Sequence, residues 1–172
     1  MQNQLVTKSA KLLAEKELTI AFAESATAGR LSYEFSLTPN SGKILKGGLV
    51  CYDACIKEDV LDIPRDLIQK YTPESAEVTK ELARRLHKVV PSADVFIAIT
   101  GLTTPGGSET PEKPVGTMFI HAVIKGRDFP VREVFTGSAE SIITATIKRV
   151  DQLLIESLGN LKVAVSPAKG KA

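Results

Sequence analysis

A chain of 172 residues is one domain by size and is long enough to bury a sizeable core. With 43% hydrophobic residues, 24% charged residues and a net charge of +2, it is too ordinary to argue for nucleic acid or an anionic membrane surface. No apolar stretch reaches the ~20 residues of a membrane span and the first residues lack a signal-peptide core, so the expectation is a cytoplasmic protein.

In chain order, "QLVTKSAKLLAEKE" carries Leu5, Leu12 and Leu13 at helical spacing and predicts an amphipathic helix. "LTIAFA" is a continuous apolar run of strand length, as in a strand buried on both faces. A helix is predicted from Thr27, suited to cap it, to about Leu37, where "TPNSG" stops it. "GGLVCYD" is a second strand. It holds Cys51, and Cys55 follows; with His87 and His121 scattered, these thiols form no zinc framework and are expected reduced and metal-free. "ACIKEDVLD" and "PRDLIQKY" predict short helices, the second with Pro64 in its first turn.

"TPESAEVTKELARRLHKVV" predicts the longest helix, with Thr72 or Ser75 at its start and Val78, Leu82 and Leu86 on one face. "ADVFIAIT" is a third buried strand. The Gly- and Pro-rich "GLTTPGGSETPEKPVG" reads as a long structured loop of the kind that carries function. "TMFIHAVI" and "FPVREVF", joined by "KGRD", form an antiparallel hairpin. A helix from about Ala139 to Leu158 completes a single domain over 1–160, and 161–172 is a flexible tail. The fold class is α/β: a three-layer α/β/α domain with a mixed, mostly parallel sheet ending in an antiparallel hairpin.

Three strand ends carry hydroxyls. Ser25, Tyr52 and Thr100 each follow an apolar run, and in open α/β sheets ligands bind beyond such ends. Ser25 and Thr27 precede a helix whose first N–H groups, approached across Ala28 and Gly29, are able to hold a phosphate or an oxyanion; capping alone is the plainer alternative. Lys57 lies five residues beyond Tyr52 and becomes a general base if burial lowers its pKa, although a solvated lysine is the commoner case. "TGLTTPGG" is neither a Walker loop nor a dinucleotide fingerprint.

In their order and spacing, "AESATAG", "GGLVCYDACIK", "ITGLTTPGG" and "EKPVGT" resemble the CinA C-terminal domain family over about residues 5–158. The domain that commonly precedes this one in the family is not among these residues, which reads as a stand-alone form. The resemblance implies a nicotinamide mononucleotide deamidase, which hydrolyses the nicotinamide amide to nicotinic acid mononucleotide and ammonia without a cofactor. It implies a hydroxyl-rich crevice with Lys57 as base, Ser41 or Ser25 as nucleophile and Tyr52 beside them. Thr27, Gly29, Thr100, Gly101, Gly106 and Gly107 then hold the nucleotide, and a homodimer or higher homo-oligomer is expected.

The chain departs from the family at several points. Where the family has P-G-S-S and an aromatic, this chain has Pro39-Asn40-Ser41-Gly42-Lys43-Ile44, so Gly42 occupies the place associated with the nucleophile. The family's G-D-R is Gly137-Ser138-Ala139, Ala26 and Ala28 replace a Cys and a Gly, and I-A-G-P has become Leu102-Thr103-Thr104-Pro105. On this reading activity is reduced, and Gly42→Ser with Ala139→Arg restores it. Three functions stay open: the amidohydrolase, a non-catalytic nucleotide- or protein-binding module, and a domain acting on an unrelated substrate.

Overall fold

The computed structural model describes residues 5–160. Helix α1 (Thr7–Glu15) leads into β1 (Ile20–Glu24), followed by α2 (Arg30–Ser36), the single turn α3 (Ser41–Ile44) and β2 (Leu45–Val50). Three helices come next: α4 (Ala54–Leu61), α5 (Arg65–Tyr71) and α6 (Ala76–Arg85). Strand β3 (Val95–Gly101), the hairpin β4 (Thr117–Ile124) and β5 (Arg127–Val134), and α7 (Ala139–Gly159) complete the chain. The sheet order is β2-β1-β3-β4-β5. β1 runs parallel to β2 and β3, whereas β4 is antiparallel to β3 and β5, so only β4 runs against the rest. This is the mixed α/β sheet with a terminal hairpin that the apolar runs predict.

Alternation along the strands sorts the two cores. Ile20, Phe22, Ile97 and Ile99 face one side with Leu13, Leu31, Phe35, Val150 and Leu154 of α1, α2 and α7. Ala21, Ala23 and Ala98 face the other, against Leu61, Ile68, Val78 and Leu82 of α4, α5 and α6. The small alanines let the second helical layer approach the sheet closely. No described helix is long and apolar enough to cross a membrane.

Several predicted boundaries move. The longest helix is α7, at 21 residues, because it keeps an apolar stripe from Ile142 to Leu158. α6 has 10 residues and tightens into a 3₁₀ turn at Leu86–Lys88 before Pro91. Ser75 caps α6 by accepting from the Val78 N–H, and Thr72 does not cap it. The expected tail at 161–172 lies outside the described residues.

The largest local difference is at α2, which starts at Arg30 and is not capped by Thr27. The fully buried carboxylate of Glu24, on the Phe22 face of β1, caps it instead. Glu24 Oε2 accepts from Thr27 Oγ1 at 2.7 Å, Gly29 N–H at 3.1 Å and Leu31 N–H at 3.0 Å. Its Oε1 accepts from Ser32 N–H at 2.8 Å and Ser32 Oγ at 2.6 Å. The N–H groups that the sequence offered to a substrate anion are therefore already occupied. Gly48 of the adjacent β2 makes the arrangement possible, since any Cβ there would collide with the Ser32 hydroxyl.

Two stability outcomes follow. Glu24→Ala strands several buried donors and should cost about 3 kcal/mol or more, while Glu24→Gln, which turns one acceptor into a donor, should cost about 1–3 kcal/mol in urea denaturation. Ala28 sits at φ 48°, in the left-handed region that favours glycine. Ala28→Gly relieves that strain and should raise stability by about 1 kcal/mol, read as a higher urea midpoint with an unchanged m-value.

Candidate active site

The residue after Glu24 points the other way. Ser25 extends β1 by one residue, its N–H bonded to the Ile99 carbonyl at 3.0 Å, and its side chain falls on the α4–α6 side of the sheet. There it meets Lys57. The lysine is fully buried, in the middle of α4, whose start is set by the Asp53 carboxylate accepting from the Cys55 N–H at 2.8 Å. Its Nζ donates to the Cys51 carbonyl at 2.6 Å, the Tyr52 carbonyl at 3.0 Å and Ser25 Oγ at 3.2 Å.

These three contacts use all the protons of an ammonium. A neutral amine keeps two N–H donors, which suffices for the two carbonyls, and its lone pair is then left to accept from the Ser25 hydroxyl. The geometry therefore serves the base form without rearrangement. Burial pushes the Lys57 pKa below its ordinary value, and the negative charges of Glu74 and Asp53 oppose that shift. Burial also pushes the Cys51 thiol up, which keeps it protonated and inert.

Ser25 opens into a cavity of about 210 Å³, lined by Ala26, Tyr52, Glu74 and the loop from Gly101 to Gly107. The turn that follows the serine closes through Ala28 N–H to the Ser25 carbonyl and Arg30 N–H to the Thr27 carbonyl. None of its hydrogen bonds uses the N–H of Ala26, which lies next to the serine at the cavity wall.

The sequence-selected residues divide. Ser25, Tyr52, Gly101, Gly106 and Gly107 line this cavity, and Lys57 lies beneath Ser25. Tyr52 stands at the rim, 65% exposed as a residue, and only its carbonyl reaches Lys57. Thr100 is on the same face as Ser25 but fully buried, paired with Thr79 Oγ1 at 2.8 Å, and it does not line the cavity. Thr27 is turned onto Glu24, and Gly29 lines a separate shallow depression with Arg30 and Glu140.

Ser41 and Gly42 lie in α3, directly before β2. Leu45 pairs with Ile20 and Val50 with Glu24, so α3 sits at the opposite end of the strands from Ser25. The structure does not bring Ser41 to Lys57. A glycine at position 42 thus removes nothing from the Ser25 cavity. Ala139 begins α7 beside Glu140, whose carboxylate lies 3.7 Å from Arg30 Nη1, again outside that cavity.

Three residues of the site carry no local signal in the sequence. Glu74 lines the cavity and accepts from Ser108 Oγ at 2.6 Å. Lys113 Nζ donates to Thr72 Oγ1 at 2.7 Å, Ser108 Oγ at 2.7 Å and the Glu74 carbonyl at 3.0 Å, tying the long loop to the start of α6. Glu109 accepts from the Gly106 N–H at 2.7 Å, folding its carboxylate back onto the Gly-rich turn.

Known proteins share this architecture. The model of the CinA C-terminal domain matches residues 2–158. A CinA-like protein of Thermotoga maritima is 35% identical over 134 residues, 78% of this chain and 32% of its own length. A CinA-like protein of Prochlorococcus marinus is 41% identical over 109 residues, 63% of this chain and 25% of its own. The chain thus spans between a quarter and a third of the length of these curated relatives. Among solved structures, a CinA superfamily protein of Klebsiella pneumoniae superposes with a TM-score of 0.86 at 25% identity, covering 93% of this chain and 100% of that one. A second, from Enterobacter cloacae, has a TM-score of 0.82 at 27% identity and covers 89% and 92%. With the family match running through both core layers and through the Ser25 and Lys57 segments, the chain belongs to the CinA C-terminal domain family.

Proposed function

We propose that this domain is a nicotinamide-nucleotide amidohydrolase with Ser25 as nucleophile and Lys57 as general base, acting on nicotinamide mononucleotide. The observation that carries the reading is the contact of a fully buried amine with Ser25 Oγ at 3.2 Å, at the floor of an open cavity. Neutral Lys57 takes the hydroxyl proton as Oγ attacks the amide carbon, then delivers it to the departing nitrogen, which leaves as ammonia. Water, deprotonated by the same amine, cleaves the resulting ester to the carboxylate product and restores Ser25. The Ala26 N–H supplies a donor for the oxyanion.

The substrate's charge distribution suits the cavity. Its pyridinium ring is cationic, and Glu74 lines the same cavity as Ser25. The ribose and phosphate then extend toward the loop from Gly101 to Gly107.

The test is ammonia release from nicotinamide mononucleotide by the purified protein. Ser25→Ala and Lys57→Met should each lower kcat on the order of 10³-fold, with circular dichroism unchanged. Since the amine must be neutral, the rate should rise with pH to a plateau whose midpoint lies below the ordinary lysine value of 10.5, and that limb should vanish with Lys57. Tight binding by calorimetry with no ammonia at high protein concentration would instead assign a binding module.

The placement of α3 generates a further outcome. Gly42 is exposed at the far end of the strands, so Gly42→Ser should leave kcat/KM within about twofold, as for other surface changes. A large gain would show that the nucleophile is not Ser25.

A further inference from the structure

The loop that walls the Ser25 cavity holds an anion already, and the anion belongs to the protein. Gly106 sits at φ +97°, a conformation open to glycine, and its N–H is aimed at the Glu109 carboxylate, on which the Gly107 N–H also acts more weakly. The carboxylate accepts from the Gly106 N–H at 2.7 Å. The N–H groups of Gly106, of Glu109 itself and of Gly107 hold the acid below the ordinary carboxylate range, with a smaller contribution from the Lys113 ammonium. Both glycines line the cavity that Ser25 opens into. A group bound at this turn would therefore share one cavity with a group bound at the serine.

Glu109 differs from the other carboxylate folded onto backbone donors. Glu24 is fully buried and accepts five hydrogen bonds, so no ligand displaces it. Glu109 is exposed, so water can replace the backbone donors that its carboxylate gives up. Lys113 stays in place when Glu109 leaves the turn. Its ammonium is anchored by Thr72, Ser108 and the Glu74 carbonyl, none of which depends on Glu109. What remains is a pair of backbone donors in the field of a fixed cation, with the hydroxyl-bearing Thr103 and Thr104 in the same wall. Its chemistry is that of a phosphomonoester site.

We propose that the Gly106–Gly107 turn is the subsite for the substrate's terminal phosphate and that Glu109 is a built-in competitor that the phosphate displaces. The proposal rests on the amidohydrolase reading for its substrate but not for its geometry. The competitor lowers the apparent affinity by the fraction of time it occupies the turn, and it does so only for ligands that carry the phosphate. A phosphate-free analogue reaches Ser25 without meeting Glu109. The device thus acts on substrate selection.

The experiment compares nicotinamide mononucleotide with nicotinamide riboside, which lacks the phosphate, in the unmodified protein, Glu109→Ala and Glu109→Gln. The expected result is that the ratio of KM for the riboside to KM for the mononucleotide rises by about fivefold or more in Glu109→Ala. Glu109→Gln, which keeps a carbonyl acceptor without the charge, should fall between. A ratio that stays constant or falls in both variants overturns the proposal, because Glu109 then only props the loop. A second measurement needs no turnover: inorganic phosphate is titrated while the Gly106 and Gly107 amide resonances are followed by NMR. Tighter binding at these amides in Glu109→Ala than in the unmodified protein supports the proposal. Equal binding in the two, or no movement in either, overturns it. If neither amide is hydrolysed by the unmodified protein the amidohydrolase reading fails, and the phosphate titration alone decides this one.

Discussion

Glu24 and Ser25 are adjacent in the chain and face opposite sides of the sheet, and both the start of α2 and the candidate active site depend on that alternation. A strand has a period of two, so the last two residues of β1 must divide between the helical layers. The carboxylate goes to the α2 side, where five donors satisfy it. The hydroxyl goes to the α4 side, where a buried amine waits. Had the strand ended one residue earlier or later, a carboxylate would lie against Lys57. An opposite charge there favours the ammonium, and the amine would lose its capacity as a base.

Burying Lys57 works against the fold unless its protons are placed. Desolvation of a full charge costs several kcal/mol even after relaxation, whereas a neutral amine with two strong acceptors is far cheaper to bury. The Cys51 and Tyr52 carbonyls face inward because the chain turns between β2 and α4, and that turn is held by the Cys51 N–H on the Glu24 carbonyl at 2.8 Å. The backbone of Glu24 thus supports the lysine's acceptors while its side chain organises α2. Structural and chemical demands meet in one residue.

Much of this was legible in the sequence, and the misreadings have a common origin. "LTIAFA" and "ADVFIAIT" read as buried strands because a strand covered on both faces needs no polar residue, and both are strands. The hydroxyls at strand ends were visible too, but the direction in which each points was not. Thr27 has the chemistry of a helix cap yet is captured by Glu24, and Thr100 is captured by Thr79 from α6. Such choices are made by long-range partners. Glu74 reaches the cavity because α6 packs across the sheet, a contact that no local pattern encodes. Ser41 is a different case. Once β1 and β2 are taken as parallel neighbours, a residue just before β2 must lie at the opposite end from Ser25, so topology alone places it away from Lys57.

Helix starts and Gly-rich turns are often read as anion sites, and this chain shows why the reading is incomplete. Backbone donors are served by whichever acid is nearest, and a carboxylate a few residues away is present at an effective concentration no free ligand matches. Whether the site then remains available depends on what holds the internal acid. Glu24 is enclosed by the core and bonded on both oxygens, so releasing it would leave several buried donors unpaired at about 1–3 kcal/mol each. Glu109 is in water on its outer side, so releasing it exchanges one set of solvated contacts for another. The same pairing of carboxylate and backbone N–H is therefore a permanent part of the fold on the α2 side of the sheet and an exchangeable contact at the cavity on the other side. Burial, rather than the donors themselves, separates the two.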